Sequence, residues 1–315
     1  MKVFVTGGAG FVGSHMAARL VRDGHTVTAY DNLSLGKREF LEELIAGGRC
    51  TLIVGDLLDR DAVARAMAGH DLVIHLAANS DIFRGLEDTE LDLRQGVIAT
   101  YNTLEAIRAS NIRRLIFSSS SVVYGEATEI PTPEDYGPLL PISFYGASKL
   151  ACEGLISSYG HNFGLQSWIY RFGNIVGTHA THGVILDFVR KLKADPRRLE
   201  VLGDGRQSKP YLHVSDCVDG MLFGFARAAD PVNVFNLAVN DACDVKTIAE
   251  TVVKKMGLKG VEIAYMGGSR GWPGDVPRVG LSPEKLARLG WRASMTSRQA
   301  VERAAEEIIA QESSG

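Results

Sequence analysis

The chain has 315 residues, 45% of them hydrophobic and 23% charged, with a formal net charge of -3. That is the composition of an ordinary globular protein, long enough for one large domain or two unequal ones. No long basic run occurs, so a nucleic-acid or membrane-surface partner has no electrostatic support. The apolar stretch Val3-Phe4-Val5 is too short for a leader or a membrane span and runs straight into glycines, so a cytoplasmic protein is expected. The four cysteines, Cys50, Cys152, Cys217 and Cys243, are scattered without a C-x-x-C pair and read as reduced, packed thiols.

In chain order, short β-branched runs predict strands over 2–6, 26–30, 51–54, 71–76, 113–118 and 166–170. Helical patterns separate them over 11–23, 59–68, 89–110 and 144–161. Residues 128–142 carry four prolines and read as an irregular connection. Beyond about 172 the pattern loosens, and Gly and Pro cluster around 267–277. Strand–helix alternation with continuous apolar strands predicts a parallel sheet covered on both faces.

The segment Thr6-Gly7-Gly8-Ala9-Gly10-Phe11-Val12-Gly13 joins the first strand to the first helix. A pyrophosphate must come close to backbone N–H groups there, and a Cβ at the turn would block it. Gly7 allows the turn, Gly10 admits the phosphate, and Gly13 lets the helix pack on the strand. Asp31 follows the second strand; its carboxylate suits a ribose diol and repels a 2′-phosphate, which favours NAD over NADP. The fold class expected is therefore α/β. It is a Rossmann-type doubly wound parallel sheet over 1–172 with a smaller mixed C-terminal domain over 173–315, with some chain crossing back. Asp56, after the third strand, reaches an adenine amino group or caps the next helix. His75 reads as a hydrogen-bonded core histidine.

Tyr145-Gly-Ala-Ser-Lys149 places a phenol and an ammonium at i and i+4 on one helix face. Tyrosine ionises near pH 10, and a nearby ammonium is expected to lower that value so that Tyr145 acts as a base. Serines 118–121 close a strand, and one hydroxyl there bridges substrate and phenol while the others cap or pack. Taken alone, Y-x-x-x-K is short enough to occur on an ordinary surface helix. It gains weight from the cradle and the serine-ended strand in the same chain.

Together these features resemble the extended short-chain dehydrogenases/reductases, and among them the UDP-glucose 4-epimerases. The likeness covers nearly the whole chain. It rests on TGGAGFVGSH (6–15), YDNLS (30–34), HLAA (75–78), SSSSVVYGE (118–126), SFYGASK (143–149), RFGNIVG (171–177), LGDGRQSKPYLHVSD (202–216) and GGSRGWPGD (267–275). The resemblance implies Ser120, Tyr145 and Lys149 as the catalytic trio. It implies NAD contacts at Gly7, Gly10, Phe11, Val12, Gly13, Asp31, Asn32, Asp56, Leu57, Leu76, Ala77 and Ala78, with Tyr145 and Lys149. For a UDP-sugar substrate it implies Ser80, Ser120, Tyr145, Asn174, Lys209, Arg270, Asp275 and Val279, and it implies a homodimer built through a four-helix bundle. Lys209 and Arg270 read otherwise as solvated surface charges. Three positions depart from the family pattern: Gly96 stands for a common asparagine, Ser80 for a basic residue, and Lys209-Pro210 for Arg-Asp.

The reaction this implies is NAD-dependent 4-epimerisation of a UDP-sugar through a transient 4-keto species, an isomerase chemistry. Dehydratases of the family carry an Asp-Glu pair where this chain has Ser121-Val122, and decarboxylases a carboxylate near Val122. Valine moves no proton, which argues against both. UDP-glucuronate stays open, because Arg270 or Arg278 can meet a sugar carboxylate. Val279 in place of a bulky tyrosine suggests room for N-acetylated sugars. A non-catalytic NAD sensor is the reading from another class, and it conflicts with the intact trio. His179 and His182 lack further ligands of suitable spacing, so no metal is expected.

Overall fold

The computed structural model describes residues 1–268 and 280–314. The elements begin with β1 (Lys2–Thr6), α1 (Phe11–Arg22), β2 (Thr26–Asp31), α2 (Glu42–Ala46), β3 (Cys50–Val54), α3 (Arg60–Met67), β4 (Leu72–His75), α4 (Arg84–Glu87), α5 (Thr89–Asp92), α6 (Ala99–Ala109), β5 (Arg114–Ser120), α7 (Phe144–Phe163) and β6 (Gln166–Phe172). They continue with β7 (Asn174–Val176), α8 (Val184–Ala194), β8 (Arg198–Val201), β9 (Ser208–Lys209), β10 (Tyr211–His213), α9 (Val214–Arg227), β11 (Val232–Leu237), β12 (Cys243–Asp244), α10 (Val245–Lys255), β13 (Glu262–Tyr265), α11 (Glu284–Arg288) and α12 (Ser297–Ser314).

Two compact units form. The first comprises Met1–Glu126, Gly137–Phe172 and Met221–Phe235. Its sheet has seven strands in the order β11-β6-β5-β4-β1-β2-β3, and the registers from β3 through to β6 are parallel. Chain order reverses between β1 and β4, and ligands bind at such a switch point, beyond the C-terminal strand ends. Val3, Phe4 and Val5 of β1 and Leu72, Val73 and Ile74 of β4 are wholly buried, as continuous apolar strands in a covered sheet must be. Each such aliphatic side chain contributes roughly 1.5–3 kcal/mol by leaving water. Helices α3, α6 and α7 close one face through Val63, Met67, Leu104, Ile107, Cys152 and Ile156.

Instead of one helix over 89–110, the chain runs α5, then a π-helical stretch over Leu93–Ile98, then α6. The periodic pattern continues through the stretch, which is why it reads as a single helix. Gly96 lies there against α7, and a Cβ on it would sit 2.8 Å from the Ser148 hydroxyl oxygen. A larger residue at this position would require Ser148 to shift.

The second unit comprises Ala127–Tyr136, Gly173–Gly220 and Asn236–Gly315. It contains three two-stranded pairs: β10 with β7 and β13 with β8, both parallel, and β12 with β9, antiparallel. Its own core joins α8, α10 and α12 through Ile185, Phe188, Ile248, Val252, Val301 and Ile308. Among the described residues no helix is long and apolar enough to cross a membrane.

Candidate active site

The glycine loop leaves β1 at the switch point. Gly7 has φ +65°, a left-handed conformation that a Cβ disfavours, and a Cβ there would lie 2.8 Å from the Ala77 nitrogen. A Cβ on Gly13 would strike the Gly7 carbonyl, so α1 packs against the turn itself. Gly10 caps α1 without any side-chain hydrogen bond, which leaves first-turn amides beside Phe11 and Val12 to meet an anion. The 76–78 segment lies alongside: Leu76 N–H donates to the Thr6 carbonyl at 3.2 Å, and Ala77 N–H to the Thr6 hydroxyl at 3.4 Å.

Asp31 ends β2, buried, with its carboxylate accepting from Ala9 N–H at 3.0 Å and Leu33 N–H at 2.8 Å. Burial raises its pKa, while those two amides favour the charge. Asn32 donates to Asp56 at 3.2 Å, and Asp56 also accepts from Leu58 N–H. The helix-cap alternative for Asp56 is not what forms. Asp59 caps α3 instead, accepting from Ala62 N–H at 3.0 Å. Leu57 is buried beside it, and His75 is buried between Thr6 and Thr100, at 2.6 and 3.0 Å. Burial, then the Lys149 charge, pushes His75 down to about 3, so it stays neutral.

Ser120, Tyr145 and Lys149 come together where β5 ends and α7 begins. Ser143 caps α7 by accepting from Gly146 N–H at 3.0 Å, which fixes the first turn carrying Tyr145. The Ser120 hydroxyl lies near enough to the Tyr145 phenol to favour its ionised form. Lys149 is buried; its ammonium donates to the Ser118 carbonyl at 2.7 Å and lies 5.7 Å from the Tyr145 ring centre. Burial pulls Lys149 down to about 8, opposed by Cys152, Glu153 and Asp92.

The Tyr145 pKa lies above the ordinary tyrosine value rather than below it. Burial raises it, Asp92 and Cys152 raise it further, and the Ser120 hydroxyl alone opposes them. Removing water from around a phenolate costs more here than the neighbouring hydroxyl returns. Cys152 is a packing thiol, bonded to the Thr100 hydroxyl at 3.2 Å. All four cysteines are free and buried.

In the second unit, Asn174 opens β7 and donates through its side chain to the Pro210 carbonyl at 3.3 Å. Lys209, half-buried in β9, therefore adjoins the same turn. Ser80 is exposed just past the 76–78 segment. Arg270, Asp275, Arg278 and Val279 lie outside the described residues. No group of three or more His, Cys, Asp or Glu able to hold a metal occurs among those described.

Residues 3–238 match the NAD-dependent epimerase/dehydratase family. The chain belongs to this family. A solved UDP-galactose 4-epimerase is 38% identical, with 99% of each chain covered and a TM-score of 0.88. The UDP-glucose 4-epimerase of Thermus thermophilus, solved with NAD, is 30% identical, covering 98% of this chain and 99% of that one at a TM-score of 0.85. The UDP-glucose 4-epimerase of Corynebacterium glutamicum is 32% identical over 79% of each chain. Membership makes NAD the cofactor, and the glycine cradle, with its uncapped helix start, fits a dinucleotide.

Two features of this family member escaped the sequence reading. Glu153, eight residues after Tyr145 and four after Lys149, continues their helix face inward. It accepts from the Ser119 hydroxyl at 2.5 Å and from Arg171 at 3.0 and 2.7 Å, and Arg171 also donates to the Tyr124 hydroxyl at 2.8 Å. Burial disfavours the Arg171 charge, but Glu153 holds it above the ordinary arginine range. One ion pair thus ties α7, β6, β5 and the turn after Ser120 into one frame. Spacing could have pointed to Glu153, yet a helical glutamate ordinarily reads as a solvated charge. The second feature is buried Asp92.

Proposed function

We propose that the chain is a UDP-hexose 4-epimerase. It interconverts UDP-glucose and UDP-galactose and accepts N-acetylated forms where Val279 leaves room. What carries this reading is the Ser120–Tyr145–Lys149 constellation beside a turn, Ser121–Tyr124, that supplies no carboxylate. Dehydration and decarboxylation need such a group next to the catalytic hydroxyl; oxidation and return at one carbon do not.

NAD, when bound, accepts a hydride from sugar C4 and returns it. The chain's residues do the rest. Gly7, Gly10, Phe11, Val12 and Gly13 offer amides to the pyrophosphate, Asp31 and Asn32 the ribose contacts, and Asp56 and Leu57 the adenine edge. Tyr145 takes the C4 hydroxyl proton, with Ser120 bridging sugar oxygen and phenol. Lys149 stabilises the phenolate as it forms, and its ammonium would hold the nicotinamide ribose. Leu76, Ala77 and Ala78 would line the nicotinamide end. Ser80, Asn174, Lys209, Arg270 and Asp275 hold the nucleotide sugar. In this division residues 1–172 bind mainly NAD and residues 173–315 mainly the nucleotide sugar.

The working form proposed is a cytoplasmic homodimer. Leu93, Ile98, Tyr101 and Phe144 are exposed, beside an exposed row of Ala147, Ala151 and Gly154 on α7. A second copy of this helix pair would cover that apolar face as a four-helix bundle. Four buried, unpaired thiols suit a reducing compartment.

Proton NMR of products from a panel of nucleotide sugars tests the assignment. UDP-galactose forming from UDP-glucose without added cofactor is the expected result. Turnover of UDP-glucuronate alone, or bound NAD with no turnover of any sugar, rules it out.

A further inference from the structure

His75 ends β4 and is buried. A buried imidazole needs a partner at each ring nitrogen. Nδ1 meets the Thr6 hydroxyl at 2.6 Å, and Nε2 meets the Thr100 hydroxyl at 3.0 Å. The contacts continue outward on both sides. The Thr6 hydroxyl accepts from Ala77 N–H at 3.4 Å. The Thr100 hydroxyl lies 3.2 Å from the Cys152 sulfur, which lies 3.6 Å from the Gly96 carbonyl oxygen.

One direction of donation gives every proton of this relay an acceptor. Thr6 is wholly buried, and the acceptor in reach of its hydroxyl proton among the described residues is His75 Nδ1. Thr6 therefore donates to Nδ1, and Nε2–H donates to Thr100. Thr100 then donates to the Cys152 sulfur, and the thiol to the Gly96 carbonyl. The reverse direction would strand the Thr6 proton inside the sheet, at the full cost of an unmade buried hydrogen bond. The ring is thus fixed in one tautomer, with its lone pair toward the cofactor loop.

The same ring backs the catalytic lysine. His75 packs on the Phe117 ring, with centres 5.6 Å apart and planes at 32°. The Lys149 ammonium stands 4.7 Å from the centre of that phenyl ring. The Ser118 hydroxyl donates to the His75 carbonyl at 3.4 Å, and the Ser118 carbonyl accepts from Lys149. Ala77, at the other end of the relay, abuts the glycine turn, where a Cβ on Gly7 would lie 2.8 Å from its nitrogen.

We propose that His75 is a positioning residue for the nicotinamide end of the cofactor: through Thr6 its ring fixes the Ala77 amide, and through Phe117 it supports Lys149. The inference rests on the reading of residues 76–78 as the segment lining that end. A histidine that only filled the core would add stability without favouring one part of the cofactor over another. The relay touches neither Asp31 nor Asp56, whose partners are Ala9, Leu33, Asn32 and Leu58. Its loss is therefore felt at the nicotinamide end and not at the adenosine.

The test compares release of labelled NAD from the loaded full-length chain with release of labelled ADP-ribose. ADP-ribose has the same adenosine and pyrophosphate but no nicotinamide. Thr6→Val removes one hydroxyl and keeps the side-chain shape. It is expected to speed NAD release about tenfold, the worth of one buried hydrogen bond, and to leave ADP-ribose release unchanged. His75→Leu is expected to give the same split. His75→Asn, which offers a carbonyl oxygen in place of Nδ1, restores slow NAD release. His75→Gln, whose amide reaches past Thr6 toward Thr100, does not. Thr6→Val carries the test should His75→Leu not fold. NAD release unchanged in Thr6→Val, with only the denaturation midpoint lowered, would make the relay merely structural and overturn the proposal. Equal acceleration of NAD and ADP-ribose would instead overturn the reading of 76–78 as the nicotinamide end.

Discussion

Tyr145→Phe is expected to lower kcat by about 10²–10⁴-fold, the usual worth of a positioned proton-transfer group, while bound NAD per chain stays unchanged. The separation follows from where the groups stand. The cradle is built from β1, α1 and the 76–78 segment, none of which uses the phenol oxygen. The hydroxyl lies toward Ser120 at the end of β5, and phenylalanine keeps the ring while removing the group that would carry the proton. The measurement is kcat and cofactor content on the same preparation. Loss of NAD together with activity would mean that Tyr145 supports the cofactor rather than moving a proton. Because burial raises the phenol's pKa, proton transfer through Tyr145 needs positive charge beside the phenolate. The pyridinium charge of NAD and the Lys149 ammonium act in that direction.

Glu153→Ala is the second large effect. It leaves Arg171, 5% exposed, without its two-pronged partner, and breaking a buried pair from one side costs about 3–5 kcal/mol. Chemical denaturation of wild type and variant measures it. Replacing both partners with apolar residues of similar volume should cost clearly less, since no uncompensated charge remains. The single variant should also lower kcat, because the Ser119 hydroxyl loses the acceptor that fixes the strand end next to Ser120. A cost below about 1 kcal/mol, the range of a surface pair, would contradict the role given to this frame.

What the sequence made legible was local. Gly7 and Gly13 declare a close backbone approach through their spacing after an apolar strand, and the structure places both against the turn they form. Tyr145 and Lys149 share a helix face by their i, i+4 spacing, and the strand ending in Ser118–Ser120 runs to that face. What stayed hidden depends on packing. The π-helical stretch at Leu93–Ile98 keeps a helical pattern, so the sequence reads straight through it. Arg171 sits in a strand with nothing in its neighbours to mark a buried cation. Asp92 follows a capping Asp88 in a polar segment and reads as solvated, whereas the fold buries it. Spacing shows a nearby ammonium but not the loss of water around the phenol.

The central claim is that oxidation and return occur at the same sugar carbon within one site. UDP-glucose carrying deuterium at C4 tests it most directly, with product read by NMR and mass. UDP-galactose that keeps the deuterium at C4, formed without added cofactor, is the predicted result. Label lost to solvent, or unlabelled product with hydrogen taken from water, would contradict the account.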